Sequence, residues 1–172
     1  NHVKDFYCFG CFSGLRFSDL SQLKSANINE SHIKISIQKT KTQNHIIKLN
    51  NYLKEILDKY RGTIYEPLPN ISLTNFNKYL KECCELIKIN DQITITSYIG
   101  AKKIQKTVPK HKLITSHTAR KTFITNSLLL GMEPKAIKKI ANIKNENVLN
   151  KYMKITEEYA DEQMDKWNNH GK

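Results

Sequence analysis

Ser116-His117-Thr118-Ala119-Arg120-Lys121-Thr122-Phe123 is the stretch from which the rest of the chain is read. Ser116 reads as a helix N-cap, and Phe123, Leu130 and the run between them supply an apolar stripe. Three residues apart on a helix, His117 and Arg120 share one face near the positive end of the helix dipole. A proton carrier, a fixed cation and a helix N-terminus aimed at one point suit a phosphate. An ordinary solvated helix cap would contain the same residues, so the remainder of the chain has to decide.

Charge is the first arbiter. The 172 residues carry 28 Lys plus Arg against 16 Asp plus Glu, a formal net charge of +12. Five acids (Glu157, Glu158, Asp161, Glu162, Asp165) against two bases (Lys166, Lys172) fall after Ile155, which leaves residues 1–155 with 26 bases and 11 acids, a formal +15. Such a field draws a polyanion, nucleic acid above all. The densest cluster is Lys102, Lys103, Lys106, Lys110, His111 and Lys112, which reads as a set of phosphate-backbone contacts, with Lys41 and Lys121 as further ones. With 39% apolar and 26% charged residues the chain is neither disordered nor membranous, and its length suits a single domain with its own core. No apolar run approaches a membrane span and no signal peptide opens the chain. Cys8, Cys11, Cys83 and Cys84 lack a second C-x-x-C or a His at zinc spacing, so they read as free thiols in a reducing cytoplasm, with no metal site.

Periodicity predicts a mainly α fold with small β-hairpins. Residues 3–15 read as a buried helix ending near Gly14, with a short helix from Ser18. Between them Arg16, flanked by Leu15 and Phe17, is oddly placed for a surface cation and well placed to reach a ligand. Residues 32–38 alternate with period two, 39–45 read as a turn, and 46–49 as the return strand, so Lys39 and Lys41 sit at a hairpin tip. Asn50 caps a helix whose inner face is Tyr52, Leu53, Ile56, Leu57 and Tyr60, and Thr74 opens another. A second hairpin turns near Gly100. Pro134 starts a helix, Val148, Leu149 and Tyr152 lie on a short one, and residues 156–167 form an acidic last helix.

Taken in order, Gly14-Leu15-Arg16-Phe17-Ser18-Asp19-Leu20, a lysine on a strand–turn–strand unit, Ser116-His117-Thr118-Ala119-Arg120, and Asn150-Lys151-Tyr152-Met153-Lys154-Ile155 resemble the catalytic domain of tyrosine recombinases, the phage-integrase family. The resemblance covers nearly the whole chain, residues 1–172 as one catalytic domain, and is nearest to integrases of conjugative transposons and prophages. It implies Tyr152 as nucleophile, Arg16 and Arg120 on the non-bridging oxygens, His117 as proton carrier, and Lys39 (or Lys41) protonating the 5′ leaving oxygen, with no cofactor. Tyr159 is a rival nucleophile by residue type, disfavoured by the acids around it. The resemblance further implies double-stranded DNA as partner, a homo-oligomeric, tetrameric synapse, the bacterial cytoplasm and nucleoid as setting, and an N-terminal DNA-clamping domain outside this chain. It also implies that the acidic segment 156–172 docks on a neighbouring protomer. One position departs from the pattern: where the family carries Gly-His or Gly-Trp, nine residues before the tyrosine, this chain has Asn142-Ile143. Isoleucine neither donates a hydrogen bond nor passes a proton, so the alternative is a recombinase-like DNA-binding domain with impaired catalysis.

Overall fold

In the computed structural model, which describes residues 2–37, 39–153 and 164–165, helix α1 (His2–Ser13) stops where Gly14 takes φ +69°. A side chain there would be strained and would collide with helix α5 (Ser116–Leu129), since a Cβ would sit 2.5 Å from Phe123 Cδ1. One turn earlier Gly10 faces Ala119, with 3.1 Å between its hypothetical Cβ and that of Ala119. Small residues thus bring α1 and α5 together, and this crossing underlies the site.

Helix α2 (Phe17–Leu20) follows directly, then a 3₁₀ turn over Ser25–Asn27. Strands β1 (His32–Ile37) and β2 (Thr42–Lys48) pair antiparallel, with a register irregularity between Ile35 and Ile37. The return strand therefore begins four residues earlier than the periodicity predicts. Ile33, Ile35, Ile37 and Ile47 point into the core while Lys34, Ser36 and Ile46 are exposed, the alternation of a half-buried ribbon. Helix α3 (Asn51–Tyr60) is capped by Asn50, whose side chain accepts from Leu53 N at 3.0 Å. Its Tyr52 is not on the inner face as expected: it is exposed and stacks on Phe12. Asp5, buried on α1, accepts from the Tyr60 hydroxyl at 2.6 Å and from Lys59 Nζ, pinning α1 to α3. Helix α4 (Leu73–Leu86) is capped by Ser72, ahead of the Thr74 start read from sequence, because the Ser72 hydroxyl reaches Asn75 N.

Strands β3 (Gln92–Ile99) and β4 (Lys102–Pro109) form a second antiparallel hairpin around Gly100, largely exposed on both faces. A 3₁₀ turn over Lys110–Leu113 returns the chain to α5. Helix α5 is capped by Thr115, not Ser116; the Thr115 N–H donates to Thr118 Oγ1 at 3.0 Å. Leu130, read as part of the stripe, is exposed; Ala119, Phe123, Ile124 and Leu128 make the inner face. Helices α6 (Pro134–Ile140) and α7 (Glu146–Met153) follow. Tyr159 and the acidic segment fall outside the described residues, apart from positions 164–165.

Two apolar clusters hold these elements. The larger joins α1, α2, the β1–β2 ribbon, α3 and α4, with the rings of Phe6, Phe17 and Phe76 meeting at centroid distances of 5.2 Å. Phe6 and Phe76, both fully buried, each contribute roughly 2–3 kcal/mol by area removed from water, and the half-buried Phe17 less. The smaller joins Phe123, Ile124 and Leu128 of α5 to Ile137, Ala141, Ile143 and Leu149, with Ile140 packed against both clusters. No helix among the described residues is long and apolar enough to cross a membrane.

Candidate active site

Arg120 enters the site from the first turns of α5 and is only 6% exposed. Its Nη1 donates to the Gly14 carbonyl at 2.7 Å, one of the groups left open where α1 ends. Burial, and then the like charge of Arg16, push the Arg120 guanidinium down to about 10, with Asp19 and Tyr152 acting the other way. It remains a cation at neutral pH.

Arg16 occupies the N-cap position of α2 with an extended backbone, and its side chain makes no capping hydrogen bond. Its Nη2 donates to the Asn142 carbonyl at 3.4 Å, and Nη1 faces Asp19 Oδ2 at 3.8 Å, too far for a hydrogen bond. Arg16 Nη1 and both Asp19 carboxylate oxygens are buried without a hydrogen-bond partner. Burial pushes the Asp19 carboxyl up, against the pull of Arg16. Asp19 is a site residue the sequence reading passed over; its spacing of three from Arg16 across a helix start was the available signal.

His117 stands exposed on the first turn of α5. Partial desolvation, then the charges of Lys121, Arg120, Lys39 and Arg16, hold its imidazole below the ordinary value. Two things follow. His117 is neutral at pH 7 and able to accept a proton. The Lys39 ammonium, exposed in the turn between β1 and β2, is close enough to act on it. Lys41 is also exposed but sits at the turn with φ +51°. Tyr152, half-buried on α7, packs against the smaller cluster and lies within electrostatic reach of Arg120. Arg16, Lys39 and Arg120 thus lie within electrostatic reach of His117, and Arg16 and Tyr152 within reach of Arg120.

Ile143 does not join them. It is 6% exposed, inside the cluster of Ile137, Ala141 and Leu149. Its neighbours are turned toward the β1–β2 turn instead. Asn142, at φ +47°, donates from Nδ2 to Thr40 Oγ1 at 2.7 Å and to Thr42 Oγ1 at 3.2 Å. Lys144 Nζ donates to the Thr40 carbonyl at 2.6 Å. His45 on β2 donates from Nε2 to the Ile140 carbonyl at 2.9 Å.

The basic residues read as phosphate contacts are spread more widely. Lys102 and Lys106 share one face of the β3–β4 hairpin with Ile95, Ile99 and Ile104; Lys103 lies opposite, paired with Tyr98. Lys110 is within 3.7 Å of Asp91. Lys112 and Lys121 are exposed. His111, counted with this cluster from sequence, is buried and hydrogen-bonded to Asn90 Oδ1 at 3.0 Å, so it is withdrawn from any ligand. Among the described residues no group of His, Cys, Asp or Glu is arranged to hold a metal ion.

Residues 4–158 match the phage integrase family. Among solved structures, the XerH site-specific recombinase bound to its palindromic difH substrate superposes with a TM-score of 0.61 at 14% identity, over 96% of this chain and 46% of that one. The Tn1549 transposon integrase in complex with circular intermediate DNA gives 0.57 at 19% identity, over 95% and 59%. The catalytic domain of bacteriophage HP1 integrase gives 0.59 at 17% identity, over 94% and 79%. The chain thus spans about half the length of the first two. No curated protein shows significant similarity to it.

Proposed function

The chain belongs to the phage integrase family, and on that footing we propose that it is the catalytic domain of a site-specific DNA recombinase, cleaving and rejoining double-stranded DNA through a 3′-phosphotyrosyl intermediate. The observation that carries the reading is that Arg16, from a segment more than a hundred residues earlier, and Tyr152, from α7, both lie within electrostatic reach of Arg120, beside His117 on the same helix as Arg120.

The chemistry follows from the groups. Tyr152 Oη attacks phosphorus; its ordinary pKa of about 10 means the proton must leave as the bond forms. Neutral His117 takes that proton. Arg16 and Arg120 hold the two non-bridging oxygens as negative charge grows, where a planar fork does better than an ammonium. The bond from phosphorus to the 5′ oxygen breaks, and Lys39 supplies the proton that turns this oxygen into a hydroxyl. The phosphotyrosyl link retains the energy of the original phosphodiester, so a 5′-hydroxyl from another strand reverses the step without ATP. The relatives' complexes support DNA as the partner. Assembly as a tetramer on DNA, with residues 156–172 docking on a neighbour and a second DNA-binding domain supplied N-terminal to this chain, completes the proposal.

A nicked duplex that traps the cleaved strand tests it. A covalent DNA–protein adduct that disappears in Tyr152→Phe supports catalysis. The burial of Ile143 favours a second reading, a DNA-binding domain with impaired chemistry. Binding without adduct would select it, and a gain of adduct in Ile143→His would identify the missing group.

A further inference from the structure

The turn between α6 and α7, where the usual polar ligand is replaced by a core isoleucine, is fastened to the turn that carries Lys39. Asn142 bridges Thr40 and Thr42, the Thr42 hydroxyl lies 3.4 Å from Asn142 Oδ1, and Thr40 and Thr42 hydroxyls meet at 2.9 Å. Lys144 Nζ closes on the Thr40 carbonyl from the other side. Further along β2, His45 ties the ribbon to the last turn of α6. The Asn142 backbone carbonyl meanwhile accepts from Arg16. One residue therefore touches both the lysine turn and a guanidinium of the site.

Its conformation is part of the device. At φ +47° only glycine, asparagine and aspartate are at ease. Glycine would give the turn without a side chain; asparagine gives the same turn and adds an amide directed at the two threonines that bracket Lys41. A short β-turn projecting from a two-stranded ribbon has little else to order it. The hydrogen bonds from Asn142 and Lys144 supply that order.

Resting on the recombinase reading above, we propose that Asn142 and Lys144 form a clasp that keeps the β1–β2 turn closed over the site, so that Lys39 is held where it can protonate the 5′ leaving oxygen. Both are positioning residues acting through Lys39. The structure thus answers the loss of a phosphate ligand at position 143 with a mechanical role for the residues on either side. The electrostatic influence of Lys39 on His117 is consistent with a closed turn.

Leaving-group chemistry separates this role from a merely structural one. A thiolate leaves without a proton, so a DNA substrate with sulfur in place of the scissile 5′ oxygen bypasses the general acid. The nicked duplex is prepared in both forms and adduct formation is timed for wild type, Asn142→Gly, Lys144→Ala, Thr42→Val and Lys39→Ala. Asn142→Gly retains the left-handed turn, and Thr42→Val opens the same clasp from the hairpin side. Each is expected to slow cleavage of the oxygen substrate about 10-fold, part of the 10²–10⁴-fold that a general acid provides, and to cleave the sulfur substrate within about 2-fold of wild type. In a Lys39→Ala background Asn142→Gly is expected to add nothing further. Equal slowing on both substrates by Asn142→Gly and Thr42→Val, or no slowing on either, overturns the clasp. Absence of adduct from wild type on both substrates overturns the recombinase reading itself, and the clasp with it.

Discussion

The Arg120 guanidinium donates to the carbonyl of Gly14 at 2.7 Å, 106 residues earlier in the chain. This bond joins the end of α1 to the start of α5 and orients a buried cation. It forms only because Gly10 and Gly14 let the two helices meet closely.

Gly14→Ala tests that dependence. The new methyl would occupy space 2.5 Å from Phe123 Cδ1, at φ +69°. A destabilisation of roughly 2–4 kcal/mol is expected from strain and overpacking combined, read as a lowered urea midpoint. Adduct formation should fall even in conditions where the variant is folded, because the acceptor for Arg120 moves.

Arg120→Lys keeps the charge and removes the fork. A lysine's three N–H bonds all radiate from one nitrogen, so it lacks the spread planar fork with which Arg120 can hold the Gly14 carbonyl by one nitrogen and address a phosphate oxygen with another. A fall in cleavage rate on the order of 10²-fold is expected. DNA affinity, measured by fluorescence anisotropy, should change far less. Comparable losses in both would mean that Arg120 serves binding rather than the transition state.

The pH profile follows from His117, whose folded value is depressed by partial desolvation and by Lys121, Arg120, Lys39 and Arg16. The acid limb of the cleavage rate should lie below pH 6.5, the value of an unperturbed imidazole. Lys121→Gln removes one depressing charge and should move the limb upward. Stability has a matching sign. His45 is likewise depressed, chiefly by burial, so the unfolded chain takes up protons at both sites before the folded chain does. Their contribution is present above pH 6.5 and is lost as the pH falls below it. A thermal midpoint that rises on acidification from about pH 7 to about pH 5 would contradict this.

DNA binding should be strongly salt-dependent. Lys102 and Lys106 share a face of the exposed β3–β4 hairpin. Replacing both with glutamine should flatten the plot of log affinity against log salt by about 0.9 for each phosphate that is no longer neutralised. An unchanged slope would remove this face of the hairpin from the interface.

Ile143→His places a polar ring among Ile137, Ala141 and Leu149. It should cost roughly 2–4 kcal/mol, from reduced apolar burial and an unsatisfied ring nitrogen. Differential scanning calorimetry reads the destabilisation, and any gain in adduct is to be judged per folded molecule.

Much of this protein was legible along the chain. Residues at period 3.6 place the α-helices, the Ile-x-Ile alternation of residues 33–37 places a half-buried strand, and the order Arg16, lysine turn, His117, Arg120, Tyr152 resembles one known family. These are local signals, because backbone period and residue type are properties of neighbours in sequence. Errors fell where neighbouring polar residues compete, as in Thr115 over Ser116 and Ser72 over Thr74, and where an apolar residue found no partner in the core, as with Tyr52 and Leu130.

What the linear order left open was which groups meet. Two lysines in one turn are equivalent as letters; folding brings the charge of Lys39 within electrostatic reach of His117 and gives Lys41 a left-handed backbone in the turn. Position 143 reads as a missing ligand, yet only packing reveals that its side chain belongs to the core, freeing Asn142 and Lys144 to hold the turn that bears Lys39. Hydrogen bonds and electrostatic couplings depend on distance in space. Contacts between residues 16, 40 and 142 exist only once the close crossing of α1 and α5 and the docking of the β1–β2 ribbon have brought those segments together.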